Sequence, residues 1–287
     1  MERRYAFAGV EVLVDIPEEE MYPEERLLAP FAVERATRPN RFLFRRAERL
    51  LPPEGSCVAR GPDFLVYVNE EKTIRYRGDV RISWEGAGIR VERQGTDYSV
   101  QVAASAYNRR IGEKTVLTAL GVEHLLAREK GYLLHSSLIE FRGRGILFTA
   151  PSETGKSTQA ELWRKFRQAE IINGDRAAVR IAEERVLACG VPFAGSSVYC
   201  ENRQLPLAAI VCLAQAPVTS IRPLRGYEAF RRVWEGCSVN CWDRDDVEAI
   251  SGAVMTTLER VPVFDLACTP DESAVLALER ALAGRNL

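Results

Sequence analysis

The chain has 287 residues, enough for one large domain or two ordinary ones, each with a substantial core. Its 39 Lys and Arg against 40 Asp and Glu give neither nucleic acid nor an anionic membrane an electrostatic handle. No stretch approaches about 18 uninterrupted apolar residues, and the opening MERRYAFAGVEVLVDIPEEE lacks a secretion-signal core, so a cytosolic chain without a membrane span is expected.

Residues 1 to about 110 read as strands. Tyr5 to Asp15 alternates partly, and Asp63 to Asn69, Thr73 to Tyr76, Val80 to Trp84, Gly88 to Glu92 and Asp97 to Ala104 follow at short spacing, separated by Gly, Asp and Asn. Half-polar runs in such succession predict an antiparallel sheet or sandwich, with connections at Pro17 to Glu25 and Leu51 to Gly55. No cluster in this half carries recognisable chemistry; it serves either substrate or partner recognition or simple cover for the second half. Glu113 to Lys130 carries Val116, Leu117, Leu120, His124 and Leu125 near one helical face, with Gly131 as the stop and His124 as a partly buried side chain. Two domains are therefore expected, 1–110 and 111–287.

Tyr132 to Phe141 and Gly145 to Ala150 read as two strands joined by a hairpin turn, and the second runs straight into PSETGKST. A strand, a Gly-bearing loop and a helix opening on Gly155-Lys156-Ser157-Thr158 form a Walker A phosphate cradle. Its loop N–H groups, with those of the helix N-terminus, converge on an anion. Ser152, Glu153, Thr154, Gly155, Lys156, Ser157 and Thr158 are the expected nucleotide-binding residues; Lys156 reaches the terminal phosphates and Ser157 takes a position on Mg²⁺. Ala150 stands where the motif has its first glycine, and Glu153 brings a carboxylate into a loop meant for phosphate.

After this helix, Ala169 to Val179 is an apolar strand ending in Asn173-Gly174-Asp175-Arg176, which places an acidic residue at the end of a strand beside the phosphate-loop strand. Asp175 is the expected metal ligand and proton acceptor. Leu207 to Ala214 and Val261 to Cys268 read as strands. Tyr227 to Trp234 and Arg244 to Leu258 read as helices, the latter capped by Asp243, and a capping box at Thr269 to Glu272 opens the last helix. Arg222, Arg225, Arg231 and Arg232 read as a solvated face. The seven cysteines, Cys57, Cys189, Cys200, Cys212, Cys237, Cys241 and Cys268, lie in apolar surroundings as reduced thiols; Cys237 and Cys241 lack the further ligands a zinc site needs.

The block from His135 to Arg176 resembles HPr kinase/phosphorylase and the wider HPr-kinase-like P-loop proteins, a group that shares a core with phosphoenolpyruvate carboxykinase. The resemblance lies in His135-Ser136-Ser137, the Gly143 to Gly145 hairpin, Ser152 with Gly155-Lys156-Ser157-Thr158, and Gly174-Asp175. It implies an α/β P-loop domain following the antiparallel β-rich one, ATP and Mg²⁺ as cofactors, and catalytic roles for Lys156, Asp175, His135 and Arg176. His135 would orient the acceptor or the γ-phosphate, or else be a core histidine satisfied by backbone; Arg176 is a candidate for transition-state charge. Gly174 stands where the family has the first of two aspartates, and the Glu-x-Arg-Gly-Leu-Gly signature of enzymes acting on HPr is absent. The expected activity is therefore a kinase acting on a hydroxyl of a peptide or a small molecule, with a homo-oligomer open as its assembly. A nucleotide-sensing or scaffold protein without turnover is the alternative, and a phosphorylase or carboxykinase-like enzyme a further one.

Overall fold

The structure is a computed structural model that describes residues 1–20, 26–105, 111–195 and 197–283. The chain divides into two compact units, Met1–Ala6 with Val10–Val122 and Phe7–Gly9 with Glu123–Leu287. The division falls after Val122, not near residue 110. The helix that follows residue 110 is tied into the first unit: the Glu113 carboxylate accepts from the N–H groups of Leu27 at 2.9 Å and Leu28 at 2.8 Å, and Arg75 donates to the Ala119 carbonyl at 2.9 Å.

The first unit comprises β1 (Glu2–Phe7), β2 (Val10–Asp15), β3 (Asn40–Ala47), β4 (Ser56–Arg60), β5 (Phe64–Val68), β6 (Thr73–Gly78), β7 (Ala87–Gln94), β8 (Asp97–Ala103) and helix α1 (Glu113–Leu120). One eight-stranded sheet runs β1-β2-β3-β8-β7-β6-β5-β4. It is mixed rather than antiparallel, because β3 pairs parallel with both β2 and β8. The Tyr5 to Asp15 run is two strands broken at Ala8-Gly9, where φ reaches 49° and 83°. Val80 to Trp84 is not a strand: Val80 is buried as irregular chain and Trp84 opens a short 3-10 turn. Of the expected connections, Leu51 to Gly55 lies in a loop; Pro17 to Glu25 falls partly outside the described residues.

A buried polar knot crosses this sheet. Arg90, 1% exposed, donates to Glu92 at 2.6 Å and to the Tyr76 hydroxyl at 3.2 Å, while Tyr76 donates to the Leu51 carbonyl at 2.7 Å. Lys72 reaches the other Glu92 oxygen at 3.2 Å. Burial acts to raise the Glu92 carboxyl, but Arg90 and Lys72 outweigh it and hold it below its ordinary value. Glu92→Gln should cost about 2 kcal/mol, less than a fully buried pair because Glu92 keeps 25% of its side chain in water. A folded pKa below the unfolded one makes this contribution present above the ordinary carboxyl pKa and lost as pH falls through the folded value. Urea unfolding should therefore show the gap between the wild type and Glu92→Gln at pH about 7 and its narrowing as the pH falls below the ordinary carboxyl range.

The second unit comprises α2 (Val122–Arg128), β9 (Gly131–Phe141), β10 (Arg144–Thr149), α3 (Lys156–Arg167), β11 (Glu170–Asn173), β12 (Arg176–Ala182), β13 (Arg185–Gly190), β14 (Gln204–Gln215), β15 (Ser220–Leu224), α4 (Gly226–Trp234), β16 (Cys237–Ser238), α5 (Arg244–Arg260), β17 (Val263–Cys268) and α6 (Glu272–Ala283). The single helix expected from Glu113 is broken by Gly121 at φ 61°, and Lys130, not Gly131, takes the left-handed stop at φ 56°. His124 donates to or accepts from Asp246 at 2.7 Å, which ties α2 to α5.

Three parallel strands, β10, β14 and β17, form the centre of this unit. Ile146, Phe148, Val211, Leu213, Phe264 and Leu266 point to the core under α3 and α6; Leu147, Ile210, Cys212 and Val263 point to the opposite core with α4 and α5. Both faces are buried, so these strands read as continuous apolar runs. Because β10 pairs with β9 as well as β14, the strands β9, β12, β13, β14 and β10 close into a ring.

Asp243 caps α5 by accepting from the N–H groups of Asp245 and Asp246. The last helix starts later than its expected capping box: Asp271 is the residue that accepts from Ser273 N–H at 2.8 Å. Arg222 and Arg232 both pair with Asp265, at 3.1 and 3.0 Å, and Arg231 pairs with Glu235 at 3.3 Å. All seven cysteines are free thiols; Cys57 and Cys241 are exposed, contrary to the buried setting expected for the set. Among the described residues no helix is long and apolar enough to cross a membrane.

Candidate active site

The phosphate loop is the hinge between β10 and α3. Thr149 is the last paired residue of β10, facing Ser136 on one side and Cys212 on the other. The chain then turns through Ala150 to Gly155, with Gly155 at φ 117° and Glu153 at φ 65°. A Cβ on Gly155 would meet nothing within 4 Å, so glycine is required there for its backbone angle and not for space. Gln215, at the end of β14, pins the loop from outside by donating to the carbonyl of Glu153 at 3.3 Å. Ser137 pins it from inside by donating to the Lys156 carbonyl at 2.9 Å.

Strand β9 brings the second half of the site to the first. It pairs with β10 along its C-terminal part and with β12 along its N-terminal part, where Arg176 stands opposite His135. Asp175, in the turn between β11 and β12, accepts from the Ser136 N–H through its own carbonyl at 3.1 Å. The aspartate therefore sits between two strands that both pair with β9, so that β9 lies between it and the phosphate-loop strand, rather than at the end of a strand beside β10.

Gly174 and Gly195 shape the surroundings of that carboxylate. Any side chain at 174 would collide with the Ser197 hydroxyl, itself fixed on the Ala194 carbonyl at 2.7 Å, so the position leaves no room for a second aspartate. Gly195, at φ 58°, lies so close that a Cβ would stand 2.7 Å from Cβ and Cγ of Asp175. Asn173 holds this loop in place by donating to the carbonyls of Val191 at 3.0 Å and Phe193 at 2.9 Å.

His135, Ser152, Glu153, Gly155, Lys156, Ser157, Thr158 and Asp175 thereby line one cavity of about 280 Å³. His135 Nε2 lies 3.4 Å from an Asp175 carboxylate oxygen. Burial, aided by Lys156 and Arg176 and opposed by Asp175, pulls the His135 pKa down, so at neutral pH the imidazole is uncharged. Lys156 is 7% exposed, and its ammonium donates to the carbonyls of Ala150 at 3.0 Å and Pro151 at 3.2 Å. Burial pulls its pKa down too, and the Asp175 carboxylate opposes that.

Two of the residues singled out from the sequence stand apart from this lining. Thr154 faces a second, adjoining cavity. Arg176 rests with Nε 3.6 Å from Asp175 and its guanidinium 5.4 Å over the Phe193 ring. Conversely, Ser137, Asn173 and Gly195 shape the site in roles the sequence did not assign to them: Ser137 and Asn173 stand in the motifs around His135 and Asp175, whereas Gly195 is remote from both in the chain.

No protein-family model and no curated protein matches the chain. Among solved structures, an HPr(Ser) kinase/phosphatase from Coxiella burnetii overlays 54% of this chain and 99% of its own at a TM-score of 0.33 and 9% identity. At that score the likeness carries no inference about reaction or substrate, which rest on the residues themselves.

Proposed function

We propose that this chain is a Mg²⁺-dependent kinase that moves the γ-phosphoryl group of ATP to a hydroxyl of a peptide or small molecule. The observation that carries it is the convergence of Lys156, Ser157, His135 and Asp175, drawn from three separate elements, on one cavity at the N-terminus of α3. Amide donors, a helix dipole and a buried ammonium together favour a polyphosphate anion.

The residues present fit a magnesium ion: a serine hydroxyl and an aspartate carboxylate are hard oxygen ligands, and both line the same cavity. When bound, the ion supplies charge neutralisation on the β- and γ-phosphates. Lys156 would exchange its two carbonyl partners for phosphate oxygens. Asp175 would take the proton from the acceptor hydroxyl, with His135 holding the carboxylate in position. Phosphoryl transfer asks for little more than this positioning and charge balance.

A nucleotide sensor without turnover draws on Glu153, an acidic residue among those that border the same cavity. ADP release from Mg²⁺-ATP, measured with and without serine-containing peptides and polyols, separates the two. The kinase reading expects acceptor-stimulated ADP; a nucleotide-binding protein that yields none under any acceptor contradicts it.

A further inference from the structure

Glu153 is a charged residue on the rim of the phosphate-loop cavity that the mechanism leaves unused. Its backbone sits at φ 65°, in the left-handed region that glycine takes freely and glutamate only against strain. Gln215 holds its carbonyl there at 3.3 Å, and the side chain is exposed. Two local terms oppose a carboxylate at this position: the backbone angle favours glycine, and the phosphates of a nucleotide repel negative charge.

The other charges of the cavity have partners. Asp175 faces Lys156, and its carboxylate lies 3.4 Å from His135 Nε2 and 3.6 Å from Arg176 Nε. Lys156 is the one lysine or arginine among the described residues lining this cavity, and its ammonium donates to the Ala150 and Pro151 carbonyls. In the kinase reading that ammonium goes to the phosphates, and Ser157 and Asp175 supply oxygens to magnesium. Neither leaves a cation for Glu153. Mg²⁺-ATP itself enters with net negative charge, so the charge that balances Glu153 has to arrive with the second substrate.

We infer that the acceptor carries an ammonium or guanidinium group close to its hydroxyl and that Glu153 is the residue that selects for it. The inference rests on the kinase reading and narrows its substrate class. In the transfer the acceptor oxygen bonds to the γ-phosphorus as the bond from that phosphorus to the β–γ bridging oxygen breaks. ADP leaves, the hydroxyl proton passes to Asp175, and the acceptor's cation is unchanged by the step.

ADP release from Mg²⁺-ATP on the whole chain tests it, with three short peptides whose serine is flanked by lysines, glutamines or glutamates. Ethanolamine against ethylene glycol forms the small-molecule arm, and the arm that turns over identifies the source of the cation. In the wild type kcat/KM should be at least about 30-fold higher for the lysine peptide than for the glutamate peptide. Glu153→Gln should shrink that ratio to about fivefold or less, and Glu153→Lys should invert it, which a merely structural role would not do. Calorimetry should show Mg²⁺-ADP binding about threefold more tightly to Glu153→Gln than to the wild type, which also shows the variant folded. A ratio that Glu153→Gln leaves unchanged, or no preference in the wild type, overturns the inference and leaves the kinase standing. Weaker Mg²⁺-ADP binding in Glu153→Gln assigns the carboxylate to the metal and overturns it too. Nucleotide binding without ADP release in the presence of any of these acceptors removes the kinase reading and the inference together.

Discussion

Lys156→Met should lower ATP turnover by about 10³-fold, the scale of losing a preorganised charge at a developing anion, while the protein stays folded. The side chain is buried against its own loop, with two backbone carbonyls as its hydrogen-bond partners and an aspartate across the cavity. That arrangement does little for the fold: a cation drawn out of water onto two neutral carbonyls is a poor use of burial. Methionine fills nearly the same volume without charge, so the variant should unfold at the same urea concentration as the wild type or a higher one, by up to about 1 kcal/mol. Loss of activity with stability held or gained is the signature of a residue kept for phosphate. Activity within about threefold of the wild type would mean that Lys156 does not reach the transferred group.

Asp175→Asn should keep Mg²⁺-free nucleotide affinity within about threefold and lose turnover by at least about 10²-fold, as expected for removal of a general base. Asparagine has the same shape, and the backbone bond from Ser136 N–H to the carbonyl of residue 175 does not depend on the side chain. What it loses is the negative charge that faces Lys156 and the His135 imidazole. With no second carboxylate at position 174, where Ser197 leaves no room, nothing nearby on that turn replaces it. Single-turnover ADP formation measured beside equilibrium nucleotide binding distinguishes this from a general loss of the site. Full activity in Asp175→Asn would end its role in the chemistry.

How much of this was legible in the chain depends on how local each signal is. The hairpin into the phosphate loop and helix α3 could be read because strand, glycine-bearing turn and amphipathic helix are contiguous from Tyr132 to Arg167. The α5 cap at Asp243 was legible for the same reason. Strand partners were not: β9 separates Asp175 from the phosphate-loop strand, and β3 joins the first sheet between two parallel neighbours, through pairings set by distant parts of the chain. β3 itself, Asn40–Ala47, hides its buried Phe42 and Phe44 among polar or exposed company at Arg41, Leu43, Arg45 and Arg46, so its alternation does not stand out. Gly121 broke a helix whose apolar face continues across it, because a left-handed glycine leaves the periodicity of its neighbours intact.

Magnesium shared between Ser157, Asp175 and the phosphates is the centre of the account, and the linkage between metal and nucleotide tests it most directly. Titration of the wild type and Asp175→Asn with ATP, each with and without Mg²⁺, should show Mg²⁺ tightening ATP by about tenfold or more in the wild type and by less than about threefold in the variant. An equal gain from Mg²⁺ in both proteins, or no ATP binding to the wild type at millimolar concentration, would contradict it.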